Sequence, residues 1–503
     1  MKWIKVFGMI TVLSGLGKFL GFFREALIAS LFGASETADV FFVAYLIPTI
    51  LFTALGTGIQ AGIIPLYVQK QKSSQMEARA LLNKLAALFL LVSLAITLIG
   101  MIAVQPLVYL FAPGFNAEQS DLAAGLTLIM MPSLLFMTAQ SFTQGILHAE
   151  GKFGPPAWAP IVNNTGIIAT MFLLYQWLGI YGLAVGVFIG SVLQIIVQWP
   201  FLPLKDFKWI WPWKEWSALK NLILPFWPII LAALVVQLNS VVDRVIASFL
   251  SDGSVSALNY GNRLLWLPLS ILLMPISTIL YPQLARQAVE HFNSFIQLVH
   301  RGITIIILFS IPLMSIMIVE AGHLVSIAFE RGAFDERAAA LTSTAFLFYS
   351  AALPFFALRE YLMNSIYACH SNHTALKSCV AGVIINIALS LTLAPFFGVG
   401  GIAAATGASM IVQSLYLYLH LIKKTGNSTS PFKKDWVKCL IIFLIILPLA
   451  WGIAEFCSPL NKWMELMVVT TITFPLFGIM LWVFNVESFK REWNYILNRG
   501  AST

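Results

Sequence analysis

Residues 179–184 have the sequence Gly-Ile-Tyr-Gly-Leu-Ala, and residues 398–403 have the related sequence Gly-Val-Gly-Gly-Ile-Ala. These stretches lie about 220 residues apart, and other landmarks recur in the same order at nearly the same separation. The recurring pairs include Gly33 with Gly253, Pro48 with Pro268 and Pro65 with Pro282. Because the order and the separation are both kept, the pattern indicates one internal repeat.

The composition indicates that most of this chain lies in a membrane. Of 503 residues, 59% are hydrophobic and 10% are charged, whereas soluble domains have about 25% charged residues. Apolar runs of about 20 residues, each long enough to cross a hydrocarbon core about 30 Å thick, recur along the whole length. The sequence therefore predicts an all-α polytopic membrane protein with about fourteen transmembrane helices. The predicted spans are 6–31, 38–67, 85–110, 122–147, 156–177, 179–201, 221–249, 257–282, 299–319, 338–367, 374–396, 399–421, 437–457 and 464–485.

A shift of about 220 residues along the sequence aligns the first predicted span with the seventh and the sixth with the twelfth. Each repeat therefore has six helices, and because six is even, both copies have the same orientation in the membrane. Parallel repeats of this kind are typical of alternating-access transporters. We predict an N-terminal six-helix bundle over residues 1–217, a C-terminal six-helix bundle over 218–430, and two additional helices with a tail over 431–503.

The distribution of positive charge predicts the orientation of the chain. Its net charge is +8, and in membrane proteins cytoplasmic loops hold an excess of Lys and Arg. With the N-terminus in the cytoplasm, most of the 30 basic residues fall in cytoplasmic loops and tails, and Arg331, Arg337 and Lys462 fall on the other side. We predict cytoplasmic N- and C-termini, no nucleic-acid partner and a monomer that spans the bilayer many times.

Some basic residues lie inside predicted spans, where the free-energy cost of placing their charge in the membrane must be offset. An arginine at the bilayer centre costs at least about 2.5 to 3.5 kcal/mol, so water, acids or an anionic ligand must offset it. Adjacent residues on a helix point about 100° apart, which predicts that Arg24 and Arg359 find partners on helices other than their own. The intramembrane basic residues are Lys18, Arg24, Arg244, Arg263 and Arg359.

Three of these charges suggest a site for an anion. Lys18 and Arg24 can border one broad cavity, although Arg24 could instead reach the membrane interface. Arg263 lies early in the eighth span and is predicted to face a central cavity, where guanidinium groups suit a pyrophosphate; an internal ion pair with Asp39 is the alternative. Asp39 itself could pair with Arg24 or cap the second helix.

Motifs for common enzymatic chemistry are absent from the sequence. There is no Walker A loop, HExxH, GxSxG or Asp-rich metal motif. The longest external loop, about residues 320–337, has few charges, which disfavours a membrane-embedded glycosyltransferase. A non-enzymatic transporter that uses an ion gradient or the membrane potential is the better interpretation.

The chain resembles the lipid II flippases of the MviN/MurJ type, within the multidrug/oligosaccharidyl-lipid/polysaccharide exporter superfamily. The resemblance covers nearly the whole chain and is densest in Gly21–Glu25, Phe32–Ala34 and Thr37–Ala44, with Tyr260 and Arg263 in the second repeat. It implies two six-helix bundles plus two helices in the bacterial cytoplasmic membrane. The implied activity is movement of an undecaprenyl-pyrophosphate-linked peptidoglycan precursor, lipid II, from the cytoplasmic to the outer leaflet.

The resemblance also implies roles for individual residues. Arg24, Asp39 and Arg263 match cavity cations and an acid that are important for function in the family, and Lys18 conservatively replaces an arginine. All four are predicted to bind the substrate. Asp243, Asn386 and Thr406 match sodium ligands, although coupling to the membrane potential without a bound cofactor is the alternative.

The sequence departs from the family pattern at several of its polar positions. The family usually has an arginine and an acid where this chain has Phe52 and Thr57, and often has acids where it has Trp266 and Ser390. Phe52 and Thr57 favour one alternative, a flippase for another undecaprenyl-linked glycan such as an exopolysaccharide or teichuronic-type precursor. A multidrug antiporter of the same superfamily is a further alternative. The excess of intramembrane cations argues against the antiporter.

Overall fold

A computed structural model of the chain describes residues 2–60, 64–202, 227–369, 371–425 and 433–490. Throughout these ranges the regular elements are helices, which confirms the predicted all-α class. They form two compact units, Met1–Ser256 and Ala257–Thr503, hereafter the N-terminal and C-terminal units. The predicted bundle boundaries, after residues 217 and 430, lie outside the described residues and stay predictions.

Most helices of the described residues follow one another with short connections. The first are α1 (Lys2–Phe32), α2 (Glu36–Gly58), α3 (Ile64–Ser73), α4 (Gln75–Ile102), α5 (Val104–Phe111), α6 (Ala117–Met130), α7 (Ser133–Ala149), α8 (Gly154–Leu178), α9 (Ile180–Gln198) and α10 (Trp227–Ala247). They continue with α11 (Ser254–Pro268), α12 (Met274–Glu290), α13 (Phe292–Val319), α14 (Ala321–Phe329), α15 (Glu336–Ala351), α16 (Leu353–Ala368), α17 (Asn372–Thr425), α18 (Lys433–Cys457) and α19 (Lys462–Val483). A π-helical turn, Leu269–Leu273, joins α11 to α12.

Many of these helices can cross a membrane. Among the described residues, 10 helical segments are long and apolar enough, or 11 if the pair α15 and α16, bent by 51°, forms one span. The helix α17 holds two helical segments joined at Gly398, where φ is 54° and ψ is −132°, while α1 and α10 have charged residues in their apolar runs. The chain is thus a multi-pass membrane protein, and the count of fourteen spans stays a prediction.

Glycines allow α8 and α9 to approach closely. Gly182, Gly186 and Gly190 lie four residues apart and so line one face of α9. A Cβ atom at Gly186 would lie 3.3 Å from the Cα atom of Ile167, and one at Gly190 would lie 2.6 Å from the Oδ1 atom of Asn163. Small residues at this spacing let helix backbones pack closely in lipid, where van der Waals contact replaces the hydrophobic effect between helices.

The two repeat stretches share their backbone geometry. Gly179 has φ 52° and ψ −127°, close to the values of Gly398, and only glycine adopts such angles readily. Three residues after each glycine the chain approaches the preceding helix. A Cβ atom at Gly182 would lie 3.2 Å from the carbonyl oxygen of Leu174, and one at Gly401 would lie 2.5 Å from that of Leu393.

Replacement of Gly401 by alanine should destabilise the protein. The added methyl group meets a backbone oxygen that no side-chain rotation can move, so the cost should be that of overpacking, about 1–3 kcal/mol. Thermal unfolding of the purified protein in detergent would measure the effect. Gly452→Ala is the control, because a Cβ atom at Gly452 meets nothing within 4 Å, and an equal loss in both variants would contradict the argument.

Candidate functional site

Arg24 is buried and paired inside the N-terminal unit. It is 7% exposed; its Nη2 atom donates to Oε1 of Glu25 at 2.6 Å, and its Nη1 atom donates to Oδ1 of Asn164 at 3.2 Å. Asn164 lies on α8 and donates in turn to the carbonyl oxygen of Gly17 at 3.2 Å. The prediction that Arg24 would find its charge partner on another helix was wrong, because its long side chain reaches the adjacent carboxylate. The alternative that it reaches the membrane interface was wrong as well.

A small cavity of about 10 Å³ borders this ion pair. Aromatic and aliphatic side chains of α2, α8 and α9 form its other walls, and the guanidinium carbon of Arg24 lies 5.9 Å from the centre of the Tyr45 ring. The low-polarity walls strengthen the attraction between Arg24 and Glu25, and they make either charge costly without the other. The lining residues are Arg24, Glu25, Ile28, Phe41, Phe42, Tyr45, Ile167, Leu183 and Val187.

Asp39 binds backbone amides at the start of α11. Its Oδ2 atom accepts from the N–H of Gly253 at 2.8 Å, and its Oδ1 atom accepts from the N–H of Ser256 at 2.6 Å. The first N–H groups of a helix have no partner within the helix and carry partial positive charge, so a carboxylate is well placed there. Asp39 is 5% exposed, which makes these bonds stronger than they would be in water.

Two interpretations of Asp39, as the partner of Arg24 and as the cap of α2, were wrong. Arg24 pairs with Glu25, and Ser35 caps α2, because the Ser35 hydroxyl accepts from the N–H of Ala38 at 3.4 Å. Asp39 instead joins the beginning of α2 to the beginning of α11.

Further contacts surround Asp39 in the same unit. Gly114 donates its N–H to the Ser248 hydroxyl at 3.1 Å, and the side chain of Gln119 donates to Asp252 at 3.3 Å. Gly253 has φ 88°, and a Cβ atom there would clash with the carbonyl oxygen of Ala34. The segment after α10 is therefore held against the beginnings of α2 and α6, and we call these bonds, together with those of Asp39, the closing contact.

The other predicted substrate-binding cations differ from Arg24 in their exposure. Lys18 on α1 and Arg263 on α11 are both exposed, each in its own compact unit. Their assignment as substrate-binding residues stays a prediction.

Arg359 on α16 forms a second partly buried pair, in the C-terminal unit. It pairs with the adjacent Glu360, and its Nε atom donates to Oε1 of Gln413 on α17 at 3.2 Å. The amide of Gln413 donates to the hydroxyl of Ser409 at 3.1 Å. As with Arg24, the carboxylate of the adjacent residue supplies the opposite charge, and an amide on another helix supplies a further hydrogen bond.

Sequence reasoning missed these two amides. Asn164 and Gln413 are polar residues within long apolar runs, and such residues are rare enough in membrane spans to be noticed. They were not predicted as partners of the arginines because they are uncharged.

Two of the predicted sodium ligands are in contact with each other. Asn386 and Thr406, both on α17, are buried, and Nδ2 of Asn386 donates to Oγ1 of Thr406 at 3.2 Å. They are oxygen-bearing side chains of the kind that suits a hard cation. Asp243 is buried in the N-terminal unit, and the full set stays a prediction.

The face of α2 that departs from the family pattern is polar but uncharged. The Thr49, Thr53 and Thr57 hydroxyls donate to carbonyl oxygens four residues earlier, at 2.7, 2.8 and 2.7 Å, and Phe52 is half-buried among them. Since each hydroxyl has one proton, these groups have none left for a phosphate, though their oxygens can still accept hydrogen bonds from sugar hydroxyls.

The fold and the site define a class of protein: a multi-pass helical membrane transporter with charged pairs buried among its helices. The family model described as "Lipid II flippase MurJ" matches residues 28–472. The chain therefore belongs to the lipid II flippase MurJ family.

Individual relatives agree with this assignment. A probable lipid II flippase MurJ from Vibrio cholerae is 30% identical over 432 residues, 82% of either chain. A lipid II flippase MurJ from Burkholderia cenocepacia is 27% identical over 97% of this chain and 100% of its own. Among solved structures, a lipid II flippase MurJ in an inward closed conformation has a TM-score of 0.82 at 25% identity, covering 94% of this chain and 98% of that one.

A more distant likeness extends to drug transporters. An inward-facing multidrug resistance MATE family transporter has a TM-score of 0.68 at 14% identity, covering 82% of this chain and 96% of its own. At that identity the likeness concerns the fold alone.

Proposed function

We propose that this protein translocates lipid II, the undecaprenyl-pyrophosphate-linked peptidoglycan precursor, from the cytoplasmic to the outer leaflet by alternating access. The match of residues 28–472 to the lipid II flippase MurJ family carries the proposal. Transport, not bond cleavage, is the activity, and the lipid chain stays in the bilayer while the polar head group crosses.

The closing contact supplies one step of this cycle. Asp39 holds the amides of Gly253 and Ser256 at hydrogen-bond distance, which keeps the beginnings of α2 and α11 together. For the head group to leave between the beginnings of α2 and α11, these hydrogen bonds must break and water must replace them. Since the two helix ends are either hydrogen-bonded or apart, the contact acts as a two-state element.

Lys18, Arg24 and Arg263 are the cations that we propose to neutralise the pyrophosphate. Lys18 and Arg263 are exposed, whereas Arg24 is held by Glu25 and Asn164. Arg24 therefore contributes its charge to the cavity from a fixed position. A guanidinium has five N–H donors, so its bonds to Glu25 and Asn164 do not by themselves use its full capacity.

Complementation in a bacterium depleted of its own lipid II flippase tests the proposal. The full chain should restore growth, and the fraction of lipid II exposed on the outer leaflet should rise to the level of the undepleted strain. A fluorescent C-terminal fusion would establish equal membrane expression. Absence of externalised lipid II at normal expression would overturn the assignment of this substrate.

A flippase for another undecaprenyl-linked glycan is the second candidate. The observation that favours it is the threonine face of α2 with Phe52, which offers acceptors for sugar hydroxyls and no charge for a phosphate. Complementation of a strain that lacks an exopolysaccharide flippase, with no rescue of the lipid II strain, would favour this candidate.

We further propose that both termini are cytoplasmic and that the protein acts as a monomer. The distribution of Lys and Arg supports the orientation. A bound sodium ion at Asp243, Asn386 and Thr406 would supply coupling to an ion gradient, and the buried contact between Asn386 and Thr406 supports that role for these two residues.

A further inference from the structure

Three side chains that can ligate a metal meet in the C-terminal unit. Glu320 immediately precedes α14, His323 lies in its first turn, and Glu465 lies in the first turn of α19. One ligand atom from each lies within 4.8 Å of the other two. The Nδ1 atom of His323 is 2.9 Å from Oε2 of Glu320 and 3.5 Å from Oε1 of Glu465.

The two carboxylates are buried side by side. Glu320 is 1% exposed and Glu465 is 5% exposed. Two adjacent acids in a dry site are costly when both are ionised, unless a cation lies between them.

One oxygen of this pair lacks a donor. Among the described residues, the buried Oε1 atom of Glu320 has no hydrogen-bond partner. Native structures rarely leave a buried polar atom unsatisfied, and the binding of an ion is one accepted reason for it. Lys462, one turn before Glu465 on α19, does not supply the missing charge, because its ammonium group bonds Glu330 at 2.7 Å.

We propose that Glu320, His323 and Glu465 form a binding site for a divalent transition-metal ion, of which Zn²⁺ is the best fit. Zn²⁺ is bound by imidazole nitrogen and carboxylate oxygen at about 2.0–2.2 Å in a tetrahedral arrangement, which sets the ligand atoms roughly 3.4 Å apart. The distances from His323 to the two carboxylates are close to that value. Ca²⁺ and Mg²⁺ prefer sites made of oxygen alone and more ligands.

The site would fasten α19 to α14. The Lys462–Glu330 ion pair and the contact of Lys462 with Ser326 already join these two helices one turn away. A metal ion adds a buried link next to this exposed one, and two carboxylates balance its charge. Ligand binding to the folded state raises stability in proportion to the logarithm of the ion concentration above the dissociation constant.

Titration of the purified full-length protein with Zn²⁺ after treatment with a chelator tests the proposal. Isothermal calorimetry should give one ion per chain at micromolar concentration, and the Tm should rise by several degrees. His323→Ala and Glu465→Gln should each weaken binding by about tenfold or more. Equal concentrations of Mg²⁺ or Ca²⁺ should change the Tm little.

Matched controls separate this site from adventitious binding. Glu330→Gln removes a nearby exposed carboxylate, and His373→Ala removes an exposed histidine of the same unit; both variants should bind Zn²⁺ as the wild type does. Anomalous scattering at the zinc edge should give a peak beside His323 Nδ1, a result that needs no variant to fold. No binding by the wild type, a peak elsewhere, or unchanged binding in both ligand variants would overturn the site.

Discussion

Replacement of Arg24 by methionine is expected to destabilise the protein by about 3–5 kcal/mol, the usual cost of removing one partner of a buried ion pair. Methionine fills similar space but removes the guanidinium that balances the charge of Glu25, which is 2% exposed. The amide of Asn164 also loses its donor. Thermal unfolding in detergent should show the change as a large decrease in Tm.

A second substitution separates stability from transport. Because a buried pair can be replaced by apolar residues at little cost, Arg24→Met combined with Glu25→Leu should recover most of the lost stability. If Arg24 binds the pyrophosphate, the double variant should stay inactive in the complementation assay. Full transport by the double variant would assign Arg24 a structural role and remove it from the proposed substrate site.

An exposed ion pair provides the matched control for this stability effect. Arg286 and Glu290 pair at 3.0 Å on α12, with side chains 76% and 49% exposed. Exposed pairs contribute about 1 kcal/mol or less, so Arg286→Met should leave the Tm nearly unchanged. A decrease as large as that of Arg24→Met would mean that burial of the charge is not the cause.

Replacement of Asp39 by asparagine is expected to open the closing contact and abolish most transport. Asparagine has one carbonyl oxygen, so it can accept from Gly253 or Ser256 but loses the negative charge that both amides now contact. Hydrogen bonds to charged groups contribute about 1.5–3 kcal/mol, and a loss of this size changes the ratio of closed to open states by about tenfold to a hundredfold. The helix N-terminus loses its favourable anion as well.

Thiol labelling measures this opening directly. In a background without the native cysteines, a cysteine introduced at Ser256, which is fully buried, should react faster with a polar reagent when Asp39 is asparagine. Glu36→Gln is the control, because it makes the same charge change in the first turn of the same helix. Unchanged labelling and normal transport for Asp39→Asn would show that the contact does not govern the cycle.

Composition, repeat and charge distribution were sufficient to predict a helical multi-pass membrane protein, because each depends on local sequence and on the thickness of the bilayer. The glycines at 179 and 398 illustrate this success: they were identified as equivalent by sequence, and they have nearly the same φ and ψ. The motifs around Gly21–Ala34 and Thr37–Ala44 were likewise sufficient for the family.

The partners of the charged residues could not be predicted in the same way. A helical wheel gives the direction of each Cβ atom, but the long Arg24 side chain bends back to Glu25 and also reaches an amide 140 positions away. Asp39 binds backbone N–H groups, which every residue except proline has, so no residue type in the sequence marks them.

The sequence by itself determined that this chain is a helical protein that crosses the membrane many times, because hydropathy, periodicity and charge are properties of short segments. Only the tertiary structure decided which groups meet: Arg24 with Asn164, Asp39 with the start of α11, and Glu320 and His323 with Glu465. Those contacts join residues far apart in the chain, and their formation depends on how whole helices pack against one another.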